Sequence, residues 1–320
     1  MGKKLKTIKN EIKPKTRKGK ILTVVFGVVS PLVLGIAAGI VINKFILVET
    51  TNLDDINMDD ARIDETEEAM KKYNALNKNG TVQVSDYTVH FNAAEMFAVA
   101  YARYSSYENS YSLTVGSTDA SGIDQSIRAA LIRNGDSYFE ESLSKSSMVS
   151  LANRMYLDPD ATLRFYEGKA VTETAGEYKP EHKLFTSEEY ASIFGKTPAR
   201  PSIYIVNSKT ILEGTDKVNK TSTGYTISVS LDTKTGVYDY MKQMKNISNL
   251  SGYPSFKYCN LTLYTDKDLL PTKLHVEEKY TAKLGIFGST CAAKLDISYA
   301  VNTGNLIPDL STPIEYPEAI

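Results

Sequence analysis

The chain of 320 residues has no tryptophan, two cysteines and three histidines, and its segment 21–42 lacks any charged residue. None of His90, His182 and His275 has a second histidine or a cysteine at the spacing of a metal site. The absence of cysteine near the uncharged segment excludes a lipid attached to a cysteine there. The sequence therefore predicts no metal site and no cofactor.

Motifs typical of enzymes are missing or out of context. The chain has no G-x-S-x-G, Walker or G-x-G-x-x-G motif. Ser142-x-x-Lys145 and Lys234-Thr235-Gly236 match motifs of serine penicillin-binding enzymes, but no S-x-N lies between them. His275-Val-Glu277 begins like a deaminase motif, yet the later C-x-x-C is absent. We therefore expect a protein that is not an enzyme.

The uncharged segment is long enough for a membrane helix. It has 22 residues, and about 20 suffice to cross the hydrocarbon core. Nine cations against Glu11 give residues 1–20 a charge of +8, which leaves −9 on the remaining residues. By the positive-inside rule, the basic tail 1–20 is cytoplasmic, and the chain after the helix (21–48) is extracytoplasmic. The acidic remainder argues against binding to nucleic acid.

Two features of this segment leave alternatives open. Small residues after Ile36 would permit cleavage of a signal peptide and secretion, although the apolar run continues beyond them. Gly27, Gly35 and Gly39 are spaced so that two helices can pack closely, although glycine is common in membrane helices in any case. We favour an uncleaved anchor in the cell membrane.

The chain after the membrane segment divides into a linker and a domain. Residues 49–79 are rich in acids and read as a solvated stalk with a polar helix over 59–77. The turn Asn79-Gly80 opens the domain 80–320. Asn92 and Glu95 form a capping-box pattern ahead of an apolar helix over 92–108.

Most of the domain has the period-two alternation of β-strands. The alternation predicts twelve short strands, and a 3.6-residue periodicity predicts two further helices. The predicted strands are 111–115, 127–131, 137–143, 153–157, 162–167, 170–175, 203–206, 210–212, 225–231, 257–264, 273–281 and 290–300, and the helices are 186–194 and 236–248. Turn signals between such short strands, among them Asp158-Pro159 and Glu167-Gly168, indicate antiparallel hairpins.

This order of elements is similar to the LolA and LppX-like lipoprotein-carrier family. The passages TISVSLDTKTGVYDYMKQM and LTLYTDKDLLPTKLHVEEKY carry most of the resemblance, which covers roughly residues 90–300. The resemblance implies an α+β fold, in which an antiparallel, strongly curved sheet forms an open half-barrel with helices on its concave side. It also implies binding or carriage of a lipid or lipidated ligand.

Apolar strand positions are the candidate ligand-binding residues. Alternation places them on one face of the sheet, where they either line a concavity or pack on the helices: Ile227, Val229, Leu261, Leu263, Leu295 and Ile297. Cys259 and Cys291 share that face. With strand 273–281 between them, they lie roughly 9.5 Å apart, too far for a disulfide, so we expect free thiols.

Two functions remain after these exclusions. The first is a single-pass, bacterial cell-envelope protein that binds a lipid or other apolar ligand outside the membrane. The alternative is a structural or adaptor subunit that binds another envelope protein. An open, ligand-accepting interior favours the first, whereas a closed core and a specific protein partner favour the second.

Overall fold

The structure, a computed structural model, describes residues 48–77, 86–147, 150–158, 162–194, 202–248, 250–284 and 287–309. The basic tail, the predicted membrane helix up to residue 47, its three glycines and the turn Asn79-Gly80 lie outside these residues. Within the described part of the chain, no helix is long and apolar enough to cross a membrane.

The described residues form four α-helices and eleven β-strands. The helices are α1 (Thr66–Leu76), α2 (Ala93–Ser106), α3 (Ser187–Phe194) and α4 (Tyr238–Ser248), with short 3-10 turns at Leu53–Asp55 and Tyr87–Val89. The strands are β1 (Asn109–Ala120), β2 (Asp124–Asn134), β3 (Ser137–Lys145), β4 (Ser150–Leu157), β5 (Leu163–Ala170), β6 (Gly176–Phe185), β7 (Lys217–Lys220), β8 (Gly224–Ser230), β9 (Ser255–Asp266), β10 (Pro271–Leu284) and β11 (Phe287–Val301).

All eleven strands belong to one antiparallel sheet with the order β6-β5-β4-β3-β2-β1-β11-β10-β9-β8-β7. Two hairpin meanders, β1 to β6 and β7 to β11, meet where β1 pairs with β11. In the described residues β6 and β7 pair with one neighbour each, so the sheet is open. The predicted antiparallel α+β architecture is confirmed at this level.

One face of the sheet, the inner face, carries the main hydrophobic core. Residues from all four helices pack there with inward-pointing residues of strands β1, β2, β4, β5 and β8 to β11. On the opposite, outer face, a smaller cluster around Tyr111, Leu113 and Phe139 packs against Leu306 and Ile307 of the C-terminal segment.

The acidic segment before the domain packs on it, where the sequence suggested a solvated stalk. Thr51 bridges to Tyr253, and the hydroxyl of Thr281 donates to the carbonyl of Glu49 at 2.8 Å. Helix α1 begins at Thr66, later than predicted, and packs along α2. Its buried Tyr73 joins the main core, so this segment is part of the folded unit.

Three local predictions were wrong. Gly168, predicted to form a turn, lies within β5 at a bulge. The strand predicted over 170–175 is displaced to β6, an edge strand whose charges and Pro180 conceal its pattern. The two strands predicted within 203–212 form a loop with a single bridge, Ile211 to Leu231.

The two cysteines lie as predicted. Both are free and fully buried, on the strands that flank β10. Cys259 is opposite Glu278 in the β9–β10 pair, and Cys291 is opposite Tyr280 in the β10–β11 pair. Burial raises the pKa of both thiols, for Cys291 to about 12.

Candidate ligand-binding site

A cavity of about 600 Å³ opens beside α2. Its walls are α2, the segment that leads into α1 and the loop after residue 201. The residues that line it are Arg62, Ile63, Asp64, Glu65, Thr66, Ala98, Tyr101, Ala102, Ser105, Ser202, Tyr204, Ile205, Val206 and Asn207. Since these three segments lie far apart in sequence, only the tertiary fold assembles the cavity.

The walls combine apolar surface with a polar rim. Ala98 and Ala102 follow each other at helical spacing on α2 and leave space where larger side chains would fill it. The loop contributes Ile205 and Val206, and Arg62 contributes a positive charge to the rim. A mostly apolar cavity with a few polar groups is typical of small-molecule sites.

Side-chain hydrogen bonds hold the two irregular walls together. The amide of Asn207 donates to the carbonyls of Ala61 at 2.8 Å and Ile63 at 3.1 Å. The backbone N–H of Ser208 donates to Glu65 at 3.1 Å. Because these bonds satisfy backbone groups that have no helix or sheet partner, they fix the position of the loop against the segment before α1.

An ion pair ties the segment before α1, one wall of the cavity, to helix α4. The guanidinium of Arg62 pairs with Asp239 of α4 at 2.6 Å. Asp239 is almost completely buried, whereas the Arg62 side chain is half exposed. The cavity rim is therefore tied to the helix that covers the inner face.

A buried carboxyl lies behind the cavity wall. Glu278 of β10 is fully buried and accepts hydrogen bonds from Tyr204 at 3.1 Å and Tyr240 at 3.2 Å. Burial in the core raises the pKa of Glu278 to about 7, and the two tyrosine hydroxyls oppose that rise. Tyr204 therefore lines the cavity while its hydroxyl contacts this carboxyl.

The sequence-predicted ligand residues lie elsewhere. Ile227, Val229, Leu261, Leu263 and Leu295 are buried in the main core, and Ile297 packs against it partly exposed. None of these six is among the residues that line the cavity beside α2. All six lie on the inner face of the sheet, which packs against the helices.

Pattern reasoning missed the residues that build the cavity. The loop 202–207 includes the stretch 203–206 that the sequence predicts as a strand, and nothing in the sequence places it beside α2. Glu278 did leave a signal, because it occupies an inward position in the alternating series Leu274, Val276, Tyr280 and Ala282. A charged residue at such a position marks a buried carboxyl.

The residues of the enzyme-like motifs do not gather around this cavity. His275 lies on the outer face, with Nδ1 2.7 Å from Asp296. Lys145 donates to the carbonyl of Ala170 at 2.9 Å. Among the described residues, no cluster of His, Cys, Asp and Glu suits a metal ion.

Two solved structures show a distant similarity to this chain. LprF from Mycobacterium bovis matches with a TM-score of 0.34 and 9% identity over 68% of this chain and 96% of that chain. A DUF1329 family protein from Desulfovibrio piger matches with a TM-score of 0.24 and 12% identity over 67% of this chain and 93% of that chain. No protein-family model and no curated protein matches. Values this low assign no family, so the function has to be argued from the site.

Proposed function

We propose that this protein binds an apolar or amphipathic ligand, a lipid or lipidated molecule, in the cavity beside α2. The observation that carries the proposal is the cavity itself: its volume of about 600 Å³ lies within the roughly 300–1,000 Å³ range of small-molecule sites. Its alanine, isoleucine, valine and tyrosine walls suit an apolar chain, and its polar rim suits a head group that stays near water.

The proposal includes a membrane anchor and an extracytoplasmic domain. The apolar segment 21–42 and the basic tail before it support this orientation. Thr51 already pairs with the folded domain, and it is three residues beyond Val48, a distance of at most about 10 Å. A domain tethered this closely to a span ending near residue 48 would collect a ligand from the membrane surface.

We further propose that the open sheet is a curved half-barrel that binds without catalysis. Its inner face carries four helices, as expected for the carrier-like fold that the sequence resembles. The residues Ser142, Lys145, Lys234 and His275 of the enzyme-like sequence motifs are not among those that line this cavity.

The test is lipid binding by the full chain in amphipol. A fluorescent fatty acid should bind the wild type, and native mass spectrometry should detect a lipid that organic extraction removes. Ala98→Phe and Ala102→Phe should weaken binding at least about tenfold, since each ring occupies cavity volume. Ala75→Phe is the matched control, because Ala75 is an exposed alanine of α1 away from the cavity.

Absence of both a bound lipid and fatty-acid uptake by the wild type would refute the proposal. The adaptor function would then be favoured, and a search for envelope protein partners would follow. Equal loss of binding in Ala75→Phe would show that the effect arises from a general disturbance of the helices and not from the cavity.

A further inference from the structure

The outer face of β1 to β5 is buried, although antiparallel sheets commonly expose one face to water. On the inner face of β2, Ala129 and Leu131 are less deeply buried than their outer-face neighbours Ala130 and Ile132. We call the buried outer-face residues the outer patch, and each is at most 7% exposed: Tyr111, Leu113, Ala130, Ile132, Phe139, Glu141, Leu143, Ala152, Arg154, Tyr156, Tyr166 and Ala170.

Strand register arranges the outer patch in rows across the five strands. The middle row contains one residue from each strand, each opposite the next: Leu113, Ala130, Glu141, Arg154 and Tyr166. At about 4.8 Å between strands, this row is roughly 19 Å long. Two further rows lie two residues to either side of it, so the outer patch measures roughly 19 Å by 14 Å.

The described residues that pack on the outer patch are too few to cover it. The ring of Tyr178 lies with its centroid 4.3 Å from the guanidinium carbon of Arg154, and its hydroxyl donates to Glu141. Four side chains cannot cover an area of this size, so other residues have to exclude water from the rest. From outside β1 to β5, the described contacts come from Ala300, Leu306, Ile307 and Tyr178.

The C-terminal segment reaches the outer patch at one end. Asp309, the last described residue, lines a cavity of about 320 Å³ together with Asn134 and Ser137 of the turn between β2 and β3. Arg128 is six residues from Asn134 along β2, roughly 20 Å away. Residues 310–320 span up to about 36 Å when extended. The chain after Asp309 is therefore long enough to cross the outer patch.

The composition of this segment, LSTPIEYPEAI, suits a buried aromatic surface. Pro313 and Pro317 favour an extended backbone that lies on a face and does not pair with a strand edge. Proline-containing extended segments bind aromatic surfaces in other proteins. The outer patch supplies four rings, which contact one another at 4.9 Å and 5.8 Å in two of the pairs: Tyr111, Phe139, Tyr156 and Tyr166.

Charge also complements the segment. Glu315 and Glu318 give residues 310–320 a formal charge of −2, because the segment has no lysine or arginine. Arg154 and Glu141 form a buried ion pair at 2.8 Å in the outer patch, and Arg128 lies on the same face of β2. These three groups sum to +1, so the face and the segment carry opposite charges.

One aromatic residue of the segment reaches the basic end of this face. Tyr316 follows Asp309 by seven residues, which is about 23 Å in an extended chain and similar to the distance along β2 to Arg128. The planar guanidinium of arginine stacks favourably on an aromatic ring.

We propose that residues 310–320 bind across the outer patch in an extended conformation, with the ring of Tyr316 on Arg128. This inference goes beyond the proposed function and does not depend on it, since the outer patch and the helix-covered face lie on opposite sides of the sheet. It predicts that a chain without this segment binds the segment as a separate peptide.

The test compares the wild type with a variant that lacks residues 310–320, both in amphipol. The probe is the fluorescein-labelled peptide LSTPIEYPEAI, and fluorescence polarisation measures its binding. The shortened chain should bind the peptide at least about tenfold more tightly than the wild type, whose own segment competes at a high effective concentration. A peptide with Tyr316→Ala should bind the shortened chain at least about tenfold more weakly.

A pair of charge reversals locates the binding face. In the shortened chain, Arg128→Glu should weaken peptide binding at least about tenfold, because it removes the cation under Tyr316 and adds a charge of the same sign as the segment. Lys257→Glu is the matched control, since Lys257 is an exposed cation on β9, three strands from β1. This control should bind the peptide as tightly as the shortened chain does.

A second variant tests the inference if the shortened chain does not fold, which near-UV circular dichroism would reveal. Full-length Tyr316→Ala keeps the segment but weakens its contact with the outer patch. It should therefore bind the labelled peptide at least about threefold more tightly than the wild type.

Three outcomes would overturn the inference. The first is equal binding of the peptide to the wild type and to both segment variants. The second is no binding to a shortened chain that keeps its near-UV spectrum. The third is a wild-type dimer in sedimentation that loss of the segment dissociates, because the segment would then cover a second copy. Fatty-acid binding by the shortened chain, measured in parallel, tests the proposed function separately.

Discussion

Glu278 shows how a single residue couples this core to pH. Its carboxyl is fully buried among Tyr204, Tyr240 and Cys259. Among the described residues, its hydrogen-bond donors are the two tyrosines, and no cation forms an ion pair with it. Desolvation disfavours the ionised carboxylate, so its pKa rises from 4.5 to about 7. The folded state therefore holds this proton more tightly than the unfolded state does.

We expect Glu278→Gln to abolish a decline in stability at alkaline pH. With a folded pKa of about 7 and an unfolded value of 4.5, the stabilisation is complete below pH 4.5 and is lost as pH rises through 7. The loss is on the order of 3 kcal/mol. Urea unfolding at pH 5 and pH 8.5 would measure the free energy of unfolding of both proteins. It should be lower at pH 8.5 in the wild type, and the part of this difference that Glu278 causes should be missing in the variant.

The matched control is Glu277→Gln, one residue earlier on the opposite face. Glu277 pairs with Lys294 at 2.8 Å, and that lysine lowers its pKa, so its dependence on pH has the opposite sign. This variant should retain the alkaline decline. An unchanged decline in Glu278→Gln would show that another group causes it.

At the scale of single elements, a capping box fixes where α2 begins. The side chain of Asn92 accepts from the N–H of Glu95 at 2.9 Å, and Glu95 accepts in return from the N–H of Asn92 at 2.9 Å. This capping box was predicted and is confirmed. Glu95 also pairs with Lys72 of α1 at 2.9 Å, which joins the two helices.

Asn92→Ala should lower the free energy of unfolding by about 1 kcal/mol, because backbone donors at the start of α2 lose their acceptor. Chemical denaturation followed by circular dichroism would measure the change. Asn92→Ser preserves a capping oxygen and should recover most of the loss. If serine is as harmful as alanine, the cap does not stabilise this helix.

At the scale of the whole molecule, the pairing of β1 with β11 joins the two meanders. Gly116 lies at this junction, and a Cβ atom there would come within 2.1 Å of the carbonyl of Lys294 on β11. The two strands approach each other so closely that any side chain at this position would force them apart.

Gly116→Ala should therefore destabilise the protein by more than the ~1 kcal/mol typical of point substitutions. Thr114→Val, on the same strand and face, retains a β-branched side chain and should change stability little. Equilibrium urea unfolding of both variants would compare them. A neutral Gly116→Ala would mean that the junction tolerates separation of the strands.

Much of the architecture could be predicted from local pattern, and most of the site could not. The alternation in β8 to β11 predicted the strands, their inward face and the free cysteines, because a buried sheet face imposes a period of two. The edge strand β6 escaped, since an exposed strand needs no apolar alternation. The acidic segment 49–77 was misjudged because its few buried residues, such as Leu53 and Tyr73, are spread among charges.

The sequence by itself determined the antiparallel sheet, the capped helix and the apolar segment before the domain, since each depends on residues close together in the chain. Only the tertiary structure decided that α2, the segment 62–66 and the loop 202–207 enclose a cavity, and that Tyr204 and Tyr240 donate to the buried Glu278. Contacts between distant residues depend on strand order and on the packing of helices over the sheet. Neither leaves a period in the sequence.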